Sequence, residues 1–175
     1  MRAIVFSLAF VWALGSYGQT TRMAVRPDTT EDEPWGVVEI GGALSGDLKG
    51  FTVSGGPSLA FEFTPVKEWL EIELGATQSY SKGVSEWSFD LLFKKPYTIS
   101  RTLEFMAGLG PEFSLARLNG RTANVWGGEF ALDFMYWPFK RRRFGFYLEP
   151  AYDYSSRAGN GQSVGFSGGL LVGIK

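Results

Sequence analysis

Neither cysteine nor histidine occurs anywhere in the 175 residues. Without cysteine there is no disulfide framework, no thiolate metal site, no thiol nucleophile and no cysteine to carry a lipid anchor. Without histidine the usual general base at neutral pH and the commonest metal ligand are both missing. Any catalysis would have to run on carboxylates, Lys, Tyr or Ser. A basic surplus is absent as well: 17 Lys+Arg stand against 18 Asp+Glu, so nothing offers the phosphate neutralisation a nucleic-acid partner requires. Nor is there an uninterrupted apolar stretch of the roughly eighteen residues that a membrane-spanning helix needs.

What is present is glycine, at 23 residues, and aromatic side chains, at 16%. The first residues have the plan of a secretory signal. Arg2 supplies the positive start, Ala3 to Leu14 (AIVFSLAFVWAL) form the apolar run, and the small residues Ser16 and Gly18 precede a cut before Gln19. Residues 1–18 are therefore expected to be a signal peptide. Residues 19–34 are polar, with Pro27, Pro34 and the acidic run Glu31, Asp32, Glu33, and they read as a flexible lead-in. Residues 35–175 form the single domain.

From Trp35 onward the governing pattern has period two, the mark of half-buried strands. Eight segments carry it, with apolar sets such as Val38, Ile40, Leu44; Leu59, Phe61, Phe63; Trp87, Phe89, Leu91, Phe93; and Phe166, Leu170, Val172, Ile174. The opposite parity holds the acids Glu39, Glu62, Glu71, Glu73, Asp90, Glu104, Glu112, Glu129, Asp133, Glu149 and Asp153, together with small residues such as Gly75, Gly108, Gly110 and Ser167. Eight segments of about ten residues have the length of tilted transmembrane strands.

Alternation alone leaves the faces open, because a soluble lipocalin-like barrel carrying an apolar small molecule has the same period with inside and outside exchanged. Three features favour the membrane form. Small residues on the polar parity suit a narrow lumen. Lys and Arg after residue 35 keep to turns and strand ends, as lipid requires, since a midplane Lys or Arg costs roughly 2–4 kcal/mol. Aromatics crowd the strand ends: Trp35, Trp69, Tyr80, Trp87, Phe113, Trp126, Tyr136, Trp137, Phe144, Tyr152 and Tyr154, as in the girdles at a membrane interface. The expected fold is thus all-β, a closed antiparallel up-and-down eight-stranded transmembrane barrel. With the N-terminus in the periplasm, its periplasmic turns are Thr64 to Lys67, Lys94 to Arg101 and Pro138 to Arg143, and the outward loops centre on SGDLKG, SYSKGVSE, ARLNGRTAN and SRAGNGQ.

On these features the chain resembles the small outer-membrane barrels of the OmpA/OmpX and opacity-protein type. The tracts GFYLEPAYDY and LEFMAGLGPEF are similar to recurring pieces of bacterial porin-like proteins. The resemblance implies residence in the cell outer membrane, lipid and the barrel-assembly machinery as partners, and a monomer. The chain departs from that type in ending Val172, Gly173, Ile174, Lys175, where such barrels carry a terminal aromatic. Pro150 is a second irregularity: it cannot donate to a ladder and a closed barrel has no free edge, so a bulge is expected there.

The candidate site is a polar cluster in the lumen: Glu39, Glu62, Glu71, Asp90, Glu104, Glu129, Asp133 and Glu149. Charges in a narrow lumen are expensive unless paired, and Lys67, Lys94, Arg101, Arg141, Arg142 and Arg143 in the neighbouring turns could fold back to pair them. The expected role is a structural plug. A cation or proton path is the functional rival, disfavoured because side chains can fill an eight-stranded interior. Glu71 with Glu73, or Glu129 with Asp133, could serve as an acid–base pair on a glycoside, but acids on one strand face are too common to be diagnostic. Barrel enzymes of the outer membrane use a His in their catalytic sets, which this chain lacks. No cofactor, metal or nucleic acid is expected. The expectation is a non-enzymatic integral barrel with a structural or surface-interaction role, at most a very narrow pore.

Overall fold

A computed structural model describes residues 33–50, 52–118, 121–156 and 161–175. The expected signal peptide, most of the polar lead-in and parts of three loops lie outside them. The described residues form eight strands: β1 (Gly36–Asp47), β2 (Val53–Val66), β3 (Leu70–Ser81), β4 (Val84–Thr98), β5 (Leu103–Leu118), β6 (Arg121–Tyr136), β7 (Phe144–Ser155) and β8 (Gly161–Ile174). Each pairs antiparallel with its neighbours in sequence, and β1 closes on β8 from Gly36↔Ile174 to Asp47↔Ser163. The result is a closed barrel in strand order β1 to β8.

Because successive side chains on a strand point to opposite faces, closure divides the sequence into an outer and an inner set. The outer set is apolar through the middle of the barrel. Ile40, Leu59, Leu74, Phe93, Leu109, Phe130, Leu148 and Leu170 are all exposed, a belt that water would penalise at roughly 25 cal/mol per Å² and hydrocarbon would not. Neighbouring strands add aromatic contacts, such as Phe113 with Trp126 at 4.7 Å between ring centroids and Phe105 with Phe134 at 5.0 Å. This is the reverse of a soluble carrier, whose aromatics would line the interior.

The inner set is mixed. Next to its carboxylates lies an apolar layer of Val37, Met106, Met135, Trp137, Tyr147 and Leu171. Trp137, expected among the interfacial girdle, is instead folded into the lumen at 1% exposure. The reason is a polar partner: its indole Nε1 donates to Glu104 Oε2 at 3.2 Å.

Strand lengths differ from the expectation at two places. β4 runs to Thr98, so Lys94 and Lys95 belong to the strand and the turn is confined to residues 99–102. The outer end of the β3–β4 hairpin shrinks to Lys82–Gly83, both in the left-handed region with φ of 43° and 82°, as a two-residue hairpin turn demands. The longer strands place Lys95 and Arg117 on the outward parity, at opposite ends of the barrel and clear of its middle. Lys95 Nζ donates to the Glu68 carbonyl at 2.6 Å.

No bulge forms at Pro150. It keeps register with Phe166 of β8, and on the β6 side the ladder passes from Ala131↔Ala151 to Phe134↔Leu148 without a shift. The missing N–H is absorbed by leaving two pairings open. The irregularity in register lies in β2 instead, between Phe63 and Val66.

Candidate functional site

One inward position on each of β2, β3, β4, β6 and β7 builds the centre of the lumen. β4 delivers Lys94, whose side chain is fully buried. Its Nζ donates to Glu73 Oε2, to Glu149 Oε2 at 2.7 Å and to Asp133 Oδ2 at 3.3 Å. Glu62 Oε1 stands 3.1 Å away as a fourth acid but receives no hydrogen bond. The chemistry explains this: an ammonium has three protons and they are already directed elsewhere. Gly108 of β5 faces Lys94 in register, and a Cβ there would press on the lysine Cγ at 2.5 Å. The glycine leaves room for the lysine stem.

Around this knot the remaining candidates fall at three levels. Glu39 is buried beside it with Oε1 lacking a hydrogen-bond partner. Glu71 is half-buried and is the register partner of Lys94 across β3 and β4. Toward the end carrying Trp35 and Lys175, Glu104 Oε1 accepts from Arg142 Nη1 at 2.5 Å, so this arginine folds back from the β6–β7 turn as expected. Toward the opposite, loop end, Asp90 and Glu129 are half-buried in the wall of a cavity of about 450 Å³. Glu112 and Asp153 share that wall, accepting from Ser114 Oγ at 3.1 Å and Ser163 Oγ at 3.0 Å. The acids Asp90, Asp153, Glu149 and Glu112 are among the charged groups around Glu129.

The cavity opens between the loops, past Asp47, Thr52, Ser81 and Lys82, and its floor is reached at Glu39, Tyr147 and Glu149. No residue of the turns at the terminal end lines it. Below the floor come Lys94 and then the apolar layer. The interior is thus an acidic, serine-lined cup with a closed base.

The sequence points to the acids and offers Lys94 as one of six basic residues that could pair them, without singling it out as the residue that organises them. Lys94 opens the expected turn Lys94 to Arg101, whereas β4 runs on to Thr98 and keeps it inside the strand. Extending the outward series Phe89, Leu91, Phe93 by two more steps to Tyr97 would have shown that Lys94 points inward with Asp90 and Leu92. Glu73, read only as a possible partner for Glu71 in acid–base chemistry, is part of the same knot.

No protein-family model matches the chain. Among solved structures it is similar to Neisserial surface protein A (TM-score 0.61, 13% identity, 79% of this chain and 97% of that one). It is also similar to the outer membrane protein OprG from Pseudomonas aeruginosa (TM-score 0.59, 14% identity, 81% and 96%) and to the N-terminal β-barrel domain of Pseudomonas aeruginosa OprF (TM-score 0.57, 13% identity, 77% and 96%). The fold is that of the small eight-stranded outer-membrane barrels. One curated protein, fructose-bisphosphate aldolase 2 of Paracoccidioides lutzii, is 38% identical over 73 residues, which is 39% of this chain and 19% of that protein. The chain therefore matches about a fifth of that relative's length.

Proposed function

We propose that this chain is a non-enzymatic, monomeric integral protein of the cell outer membrane, delivered there by its signal peptide and folded with the barrel-assembly machinery, and that it serves as a closed structural or surface-facing element and not as a conduit. Its fold and the unbroken apolar belt support the location. The observation that carries the role is the buried Lys94 knot, with Trp137, Met106 and Met135 packed on the terminal side of it. An ion crossing the lumen would have to displace a lysine held by several carboxylates and then pass an apolar layer, both costly in a low-dielectric interior. Short loops support a compact outer end without large binding lobes: the β3–β4 connection is two residues and the β1–β2 connection lies between Asp47 and Val53.

The test is electrical. Purified protein inserted in planar bilayers should give no discrete conductance steps at voltages where an open pore of this size would conduct. Reproducible steps of one size, weakened by blocking the loop end, would assign it a channel role instead.

A further inference from the structure

Five carboxylates meet at the floor of the cup and just beneath it: Glu39, Glu73 and Glu149 line the cavity, and Glu62 and Asp133 are buried behind them. One ammonium, Lys94, answers them. Fully ionised, five negative charges against one positive leave an excess of four. Lys94 spends its three protons on Glu73, Asp133 and Glu149. Glu62, at 1% exposure, has neither oxygen hydrogen-bonded, and Glu39, also at 1%, has Oε1 bare; so does Asp133 Oδ1. One carboxylate oxygen from each of Glu39, Glu62, Glu73 and Asp133 lies within 4.8 Å of the others. Buried acceptors without donors are rare because each forfeits its hydration with no return.

We infer that the floor of the cup is a binding site for one hard divalent cation, held by Glu39, Glu62 and Asp133 beside the Lys94 ammonium. The argument is that Glu39 Oε1, Glu62 Oε2 and Asp133 Oδ1 receive neither a hydrogen bond nor the lysine, on buried side chains of β1, β2 and β6 whose carboxylates gather in one place, and an ionised carboxylate only accepts. A divalent ion halves the excess charge from four to two. The donor set is oxygen alone, which selects Ca²⁺, Mg²⁺ or Mn²⁺ over softer metals. An approach exists, because Glu39 and Glu73 line the open cavity and its acidic wall attracts cations toward them. The inference concerns ligand binding, so its test is independent of conductance.

Mn²⁺ is the probe. Refolded wild-type protein in detergent, stripped with chelator, should bind one Mn²⁺ per chain, followed by loss of the free-ion EPR signal, with a dissociation constant at or below about 1 mM, the range of extracellular oxygen-ligand sites. Ca²⁺ should compete. Glu39→Gln and Glu62→Gln, each checked for folding by heat-shifted gel mobility, should weaken binding at least roughly tenfold, whereas Asp153→Asn, higher in the cup, should leave it unchanged. Absence of Mn²⁺ binding by the folded wild type overturns the site whatever the variants do. Undiminished binding in folded Glu39→Gln and Glu62→Gln, or loss in Asp153→Asn alone, overturns its placement.

Discussion

Lys94 is fully buried, with more carboxylates around it than protons to give them. That imbalance sets the sign of what substitutions do. Removing one partner of a buried ion pair strands the other, at a cost of about 3–5 kcal/mol. Lys94→Met should therefore lower stability by about that amount in urea titration, because it leaves several acids without a cation. Glu62→Gln, measured in chelator by the same titration, should cost distinctly less, since it removes charge from a site with an excess of it. Equal losses in the two variants would show that packing, not charge, holds the centre together. At this scale the sequence was half legible. The acids announce themselves, because a carboxylate on the inner parity of a strand has nowhere else to go. Lys94 and Trp137 do not, because basic and aromatic residues near a strand end have two places to go, the interface or the lumen, and only a partner on another strand decides. For Trp137 that partner is Glu104, 33 positions away in sequence.

The strands show how a closed barrel accommodates proline. Pro57, Pro111 and Pro150 each sit inside a strand, and each lies where the ladder with one neighbour skips two pairings: β2–β3 between Gly55↔Tyr80 and Ser58↔Thr77, β4–β5 between Asp90↔Glu112 and Phe93↔Leu109, and β6–β7 beside Pro150. Register is preserved on both sides of these three gaps, whereas at Pro65, near the end of β2, it shifts between Phe63 and Val66. At two of the three gaps the preceding residue is glycine. A Cβ on Gly56 would collide with the Gln78 carbonyl oxygen, and one on Gly110 with that of Leu91. The carbonyl that a proline leaves without a donor leans over the glycine before it, so the Gly-Pro step acts as a unit. Gly110→Ala should accordingly destabilise the barrel by about 1–3 kcal/mol, the usual cost of forcing extra volume into a packed site. Gly128→Ala, where the nearest atom would be Gly110 O at 3.4 Å, should be tolerated. Equal urea midpoints for the two variants would contradict this account. Proline was read from sequence as a demand for a bulge; the alternative, a local opening of the ladder, depends on the neighbouring strand's carbonyls and has no signature in the chain itself.

For the whole molecule, period-two patterning gives strand count and the division into two faces, because each residue of a closed barrel must choose inside or outside; the small residues, the placement of Lys and Arg and the aromatic strand ends then orient those faces. Parity decides that choice for Ile40, Phe89, Leu109 and Phe166 as surely as for Glu39 and Asp133. What parity could not give was the vertical arrangement of the lumen. The closed base, the charged knot above it and the open acidic cup arise from strand stagger, which brings together residues as distant as Glu62 and Glu149 around one lysine.

The central claim is that hydrocarbon bathes the aromatic and aliphatic face while water enters only the acidic cup. The native chain has no cysteine, so single cysteines at Leu109, Phe130 and Leu148 on one face and at Ser114, Ala151 and Ser163 on the other can each carry a lone spin label. In bilayer-reconstituted protein, collision with dissolved oxygen should dominate for the first three, and collision with a water-soluble nickel chelate or quenching by bulk water for the second three. The opposite assignment, with the leucine and phenylalanine positions shielded from oxygen and the serine positions in lipid, would contradict the account.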